Sequence, residues 1–122
     1  MANPDHLVLV QQGVASWNTW KRAIGQPKTL FAADLSGADL RERDLHGIDF
    51  YSTDLRGADL RRADLRTANM TGAMLCDADL RKANLSAAHF HGAHLNRARL
   101  SRRAKKTGGD IHQNSWSCQR LR

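Results

Sequence analysis

Cysteine is almost absent from this 122-residue chain: Cys76 and Cys118 are the whole complement. Two such positions give no disulfide framework to read from spacing, and two free thiols are expected. Aromatic residues make up 6%, too few to build a platform on which single-stranded bases could stack. No apolar run approaches the ~20 residues needed to cross a bilayer, and the N-terminus lacks a basic segment followed by an apolar stretch. Neither a membrane span nor a signal peptide is therefore expected, and the cytoplasm is the default location. Phosphate-binding loops, nucleophile elbows, dinucleotide fingerprints and His-Glu-x-x-His elements are missing as well, which removes the common catalytic frameworks. The chain is expected to be no enzyme and to carry no cofactor.

What is present is a period. Every fifth residue from Leu35 to Leu100 is Leu, Phe or Met: Leu35, Leu40, Leu45, Phe50, Leu55, Leu60, Leu65, Met70, Leu75, Leu80, Leu85, Phe90, Leu95 and Leu100. On an α-helix five residues advance ~500°, so these side chains would drift around the axis and never form one stripe. On a strand an odd period throws them onto alternate faces. A chain that turns a corner in every repeat remains, with all fourteen central residues aimed at one axis, which is a solenoid of stacked coils.

The stretches ADLSGADLRERDLHGIDF and ADLRRADLRTANMTGAMLCDADLRKANL resemble the pentapeptide-repeat family, whose pattern is Ala, Asp or Asn, Leu and two variable residues. The likeness covers residues 33 to 102. It implies an all-β solenoid, a right-handed quadrilateral β-helix with four repeats per coil, the central residue and the Ala two before it pointing inward. Fourteen repeats then make about 3.5 coils, roughly 17 Å tall at strand spacing. Ala holds the second inward position in eleven repeats, the exceptions being Arg43, Ile48 and Thr53. Arg43 is expected to turn outward or to pair with Asp44 or Glu42, because burying a lone guanidinium costs several kcal/mol. Gly37, Gly47, Gly57, Gly72 and Gly92 all stand two after a central residue, where a type II turn requires a positive φ. Residues twenty apart should stack, with Phe50, Met70 and Phe90 in one internal column.

Ahead of the repeats, Asn3 and Pro4 are a helix start, and Gly25 with Pro27 a stop. Leu7, Val10, Val14 and Trp17 recur at helical spacing. LVLVQQGVASWNTWKRA also resembles the helical leaders of bacterial pentapeptide-repeat proteins. Residues 1–32 are read as a capping helix and linker that covers the first coil, 33–102 as the β-helix, and 103–122 as a flexible basic tail. An uncapped last coil invites a second copy, so a homodimer through the C-terminal end is expected. The repeats end without an obvious cap, which also fits the leader of a longer protein.

Charge is distributed unevenly. Residues 33–100 hold nine Asp and Glu42 against ten Lys and Arg, whereas the last 22 residues carry six basic groups and Asp110. The best-known activity of the resembled family, mimicry of DNA toward type II topoisomerases, needs an acidic column; here the carboxylates are offset by arginine. That mimicry is the first alternative, and weak nucleic-acid binding through the tail the second. Stacking by twenty places Arg41, Arg61 and Arg81 in one outward column and Arg62, Lys82 and Arg102 beside it. These six are the candidate interaction surface, set against a plain salt-bridged face formed with Asp39, Asp59 and Asp79. His89, His91 and His94 match no zinc spacing, so no metal is expected. The reading is a noncatalytic interaction or scaffold module whose partner is another protein.

Overall fold

The computed structural model describes residues 29–30 and 32–101, together with Gln11, Gly13 and Asn18. Each repeat bends through a β-turn closed by the central carbonyl, as where the Ala38 N–H donates to the Leu35 carbonyl at 3.0 Å. From Leu30 to Leu95 the residue two after each central position has a positive φ, at nine non-glycine positions as well as at the five repeat glycines. These are type II turns throughout. Short parallel bridges join every residue before a central position to the one twenty further on, from Thr29↔Asp49 to Asp79↔Arg99. A coil of twenty residues with a corner every five is a quadrilateral β-helix.

Neighbouring coils exchange backbone hydrogen bonds in a fixed pattern. The Leu35 N–H donates to the Asp54 carbonyl at 2.8 Å, and the Asp54 N–H returns to the Ala33 carbonyl at 2.9 Å. The corners are paired too, as between the Gly37 N–H and the Arg56 carbonyl. Polar backbone is thereby satisfied by the coil above and below, which leaves the axis to apolar side chains.

The core is the predicted series with one addition. Leu30 is fully buried and its neighbour Thr29 bridges to Asp49, so the internal columns start one repeat before Leu35. Lys28 stands where Ala would mark that repeat, which hides it from the pattern. Leu30, Phe50, Met70 and Phe90 share one column, all at 0% exposure. Thr53 faces inward as well, and its hydroxyl donates to the Leu30 carbonyl at 2.7 Å. At the far end Leu95, Ala98 and Leu100 are only half-buried.

Two expectations are corrected. Arg43 does not turn outward, nor does it pair with Asp44 or Glu42. It is 3% exposed, and its Nη2 donates to the backbone carbonyl of Asp39 at 3.1 Å. Burial pushes the guanidinium pKa down, against the raising effect of the Asp39 charge. The register is intact around it, since Asp44 bridges Asp64. The guanidinium fits because the positions stacked above it are Ala63 and Ala83, and because it borders a hollow also lined by Gln11, Gly13 and Asp39. Cys76 is likewise no free thiol on an outward corner. It is 1% exposed and disulfide-bonded, and no free cysteine occurs among the described residues. The cap residues Leu7, Val10, Val14 and Trp17 and the tail 103–122 lie outside the described residues.

The turns allow a direct test. A Cβ built on Gly57, whose φ is +68°, would meet nothing within 4 Å. Gly57→Ala should therefore lower stability by about 1–2 kcal/mol through backbone conformation alone, read as a shift in the urea midpoint at constant m-value. An unchanged midpoint would mean that the turn can relax.

Candidate functional site

The two central residues of each turn form the corners of the solenoid, and stacking by twenty makes each corner a pair of columns. One corner carries Arg41, Arg61 and Arg81 in the first column and Glu42, Arg62 and Lys82 in the second. These six line a shallow groove of about 360 Å³. Five of the six residues expected from the sequence are thus brought together, while Arg102 lies outside the described residues. Glu42 completes the groove; its place twenty residues before Arg62 was the signal that identifies it.

The first column is locked by aspartate. Asp39, Asp59 and Asp79 stand two residues before Arg41, Arg61 and Arg81, at the entrance to the turn. In each pair Oδ1 accepts the arginine backbone N–H at 3.1–3.2 Å and Nε at 2.9 Å. Oδ2 accepts Nη2 at 2.9, 2.7 and 2.6 Å respectively. Asp54–Arg56 and Asp64–Arg66 repeat the arrangement on other corners. A short acidic side chain before the turn and a planar fork within it make this local geometry repeatable. Hydrogen bonding from Arg41 holds the Asp39 carboxyl at about 2, and the same cause lowers Asp54, Asp59, Asp64 and Asp79. Weaker ties cross between coils, Arg41 Nε to Asp59 Oδ2 at 3.8 Å and Arg61 Nε to Asp79 Oδ2 at 3.9 Å. The salt-bridged face set against the interaction surface is therefore present in this first column.

The second column is different. Arg62 is 61% exposed, and among the described residues its one ion-pair partner is Glu42 Oε1 at 3.9 Å. Among the described residues the Lys82 ammonium has no ion-pair partner, and its backbone N–H donates to Ser101 Oγ at 2.8 Å. Arg62 and Lys82 are the loosely held cations of the corner.

Elsewhere, side chains that could take a metal converge at Asp44, His46 and Asp64, whose ligand atoms lie within 4.8 Å of one another. His46 Nδ1 already sits 2.5 Å from Asp44 Oδ1. Both oxygens of Asp64 accept from Arg66 at 2.9 and 2.7 Å, which puts a positive charge where a cation would have to bind. The group is a hydrogen-bonded cluster. Among the described residues the interior holds closely stacked side chains.

The profile described as pentapeptide repeats matches residues 33–72 and 68–102 in eight copies. Among solved structures, the chain is similar to the pentapeptide repeat protein Rfr23 from the cyanobacterium Cyanothece 51142. The match has 33% identity over 61% of this chain and 54% of that one, with a TM-score of 0.49. It is also similar to a pentapeptide repeat protein of the Arabidopsis thaliana thylakoid lumen, at 23% identity over 78% of this chain and 72% of the other, TM-score 0.35. A third is HetL, a pentapeptide repeat protein involved in heterocyst differentiation regulation in Nostoc sp. strain PCC 7120, at 28% identity over 71% of this chain and 48% of HetL, TM-score 0.26. The chain thus spans about half the length of Rfr23 and of HetL. No curated protein matches the sequence.

Proposed function

The chain belongs to the pentapeptide-repeat family of right-handed quadrilateral β-helices, and from that premise we propose that it is a noncatalytic interaction module whose partner is another protein. One observation carries this reading: the central side chains fill the axis at 0–5% exposure from Leu30 to Phe90, so the chemistry available to a partner lies on the outer corners. Mimicry of DNA has less support, because arginines pair with six of the nine aspartates of the repeats. Nucleic-acid binding through the basic tail remains the second reading, favoured by the charge of residues 102–122.

The proposed organisation is a helical cap, the β-helix and a basic tail. Helical geometry at Gln11 and Asn18, and the Asn18 Oδ1 that accepts the Asp44 N–H at 2.8 Å, support an N-terminal segment docked on the first coil. So does the burial of Leu30, Leu35, Leu40 and Leu45 at that end. Half-buried Leu95, Ala98 and Leu100 at the other end support a homodimer joined there. No helix among the described residues is long and apolar enough to cross a membrane. Cytoplasmic action belongs to the same reading, and the disulfide at Cys76 counts against it, since such bonds are rare in reducing compartments.

Crosslinking of the full chain in its native cell, followed by mass spectrometry, should recover one protein in near-stoichiometric yield, joined through corner residues such as Lys82. Recovery of nucleic acid instead would overturn the reading. Light scattering on the purified chain should give twice the monomer mass; a monomer at micromolar concentration would remove the dimer.

A further inference from the structure

We infer that the corner built from Arg41, Glu42, Arg61, Arg62, Arg81 and Lys82 docks a carboxylate-rich segment of the partner protein, with Arg62 and Lys82 as the contact charges. This rests on the reading of the chain as a protein-interaction module, and names what that partner must present.

Backbone conformation makes this corner unlike the other three. At its left-handed turn position stand Glu42, Arg62 and Lys82, with φ of 61°, 62° and 65°. Every other corner uses glycine there at least once: Gly37 and Gly57, Gly47, Gly72 and Gly92. A side chain at such a φ costs about 1–2 kcal/mol relative to the right-handed region. Arg62, 61% exposed, gains little packing in return. Non-glycine residues also hold this position on the other corners, among them Ser52, Thr67 and Ala87, so what distinguishes this column is that all three of its described residues are charged.

Electrostatics then selects the class of ligand. Arg41, Arg61 and Arg81 have already given Nε and Nη2 to their own aspartates, so that edge of each fork is closed to phosphate. The corner, with Arg99 at the end of the aspartate column, sets six cations against the four carboxylates of Asp39, Asp59, Asp79 and Glu42, a surplus of two. A nucleic-acid backbone needs several phosphates neutralised at once, each releasing a counterion; a surplus this small does not provide that. It suits one or two carboxylates instead. The aspartates also pin the arginine side chains as a preorganised wall, which reduces the ordering cost of binding. Arg62 and Lys82 project beside that wall one coil apart, about 4.8 Å along the stack. Glu42 repels carboxylates at one end of the column, so the acidic residues of the segment lie toward Lys82.

The test uses the full chain and two fluorescein-labelled probes, an octaglutamate peptide and a 20-base-pair DNA duplex, read by anisotropy at low salt. In R62G/K82G the strain at both turns is relieved, so its thermal midpoint should equal or exceed that of the wild type while its affinity for the peptide falls at least tenfold. K105E/K106E, which removes more charge but from the tail, should leave peptide affinity within threefold. Equal loss of peptide binding in both variants, or no peptide binding by the wild type, overturns the inference and leaves the interaction-module reading standing. Loss of duplex binding with retention of peptide binding in R62G/K82G makes the corner a nucleic-acid interface and overturns both.

Discussion

Phe50→Ala is expected to destabilise the solenoid by about 3–5 kcal/mol, a large part of the 5–15 kcal/mol that holds a typical domain together. Phe50 is fully buried between Leu30 and Met70 in one internal column. The vacated space cannot close by bringing coils together, because their separation is set by backbone hydrogen bonds such as Phe50 N–H to the Asn69 carbonyl at 2.8 Å and Asn69 N–H to the Ile48 carbonyl at 3.0 Å. A cavity therefore persists, and its cost adds to the lost transfer energy. Since each coil touches only its neighbours, the damage should propagate along the stack rather than stay local. Urea unfolding followed by circular dichroism measures it. Phe50→Leu, which keeps most of the volume, should cost under about 1.5 kcal/mol. If Phe50→Ala moved the midpoint no further than the exposed Tyr51→Ala, the column would not be the stabilising element.

Acid should unfold the protein over a narrow and low range of pH. An aspartate titrates near 3.8 when unperturbed, whereas Asp39 is held at about 2 by Arg41; Asp54, Asp59, Asp64 and Asp79 are lowered by the same bonding. A carboxyl with a depressed folded pKa contributes fully above its unfolded value and loses that contribution as pH falls through the folded one. Thermal stability should thus be level from neutrality down to about pH 4–5 and drop steeply toward pH 2. The arginines of these pairs are 42–54% exposed, so each pair contributes modestly and salt should blunt the drop. Asp59→Asn retains an oxygen for the Arg61 N–H but removes the charge, and should make the acid limb shallower. A melting temperature that is flat to pH 2 would show that the ion pairs do not bear on stability.

Both predictions depend on a register that the period of five makes readable. A central residue every five positions forces inside and outside onto each residue, and the paired Asp and Arg at fixed offsets were visible as opposite charges on one face. Leu30 escaped because Lys28 breaks the motif while the backbone does not notice. Arg43 was misjudged for a related reason: sequence chemistry prices a buried guanidinium as if its surroundings were apolar. The end coil instead supplies the Asp39 carbonyl, with small Ala63 and Ala83 above.

Spacing alone thus determined a solenoid and its core, because side-chain volume and turn geometry repeat with the chain; the four-sided coil, and with it the columns, came from the family resemblance. Only the tertiary structure decided which charges are spent and which are available. Arg61 and Arg62 are neighbours of the same type, yet one lies along the turn within reach of Asp59 at 2.7 Å and the other leaves the turn toward solvent. That difference arises from the φ sign of adjacent residues and from what stacks a coil away, neither of which composition or order along the chain expresses.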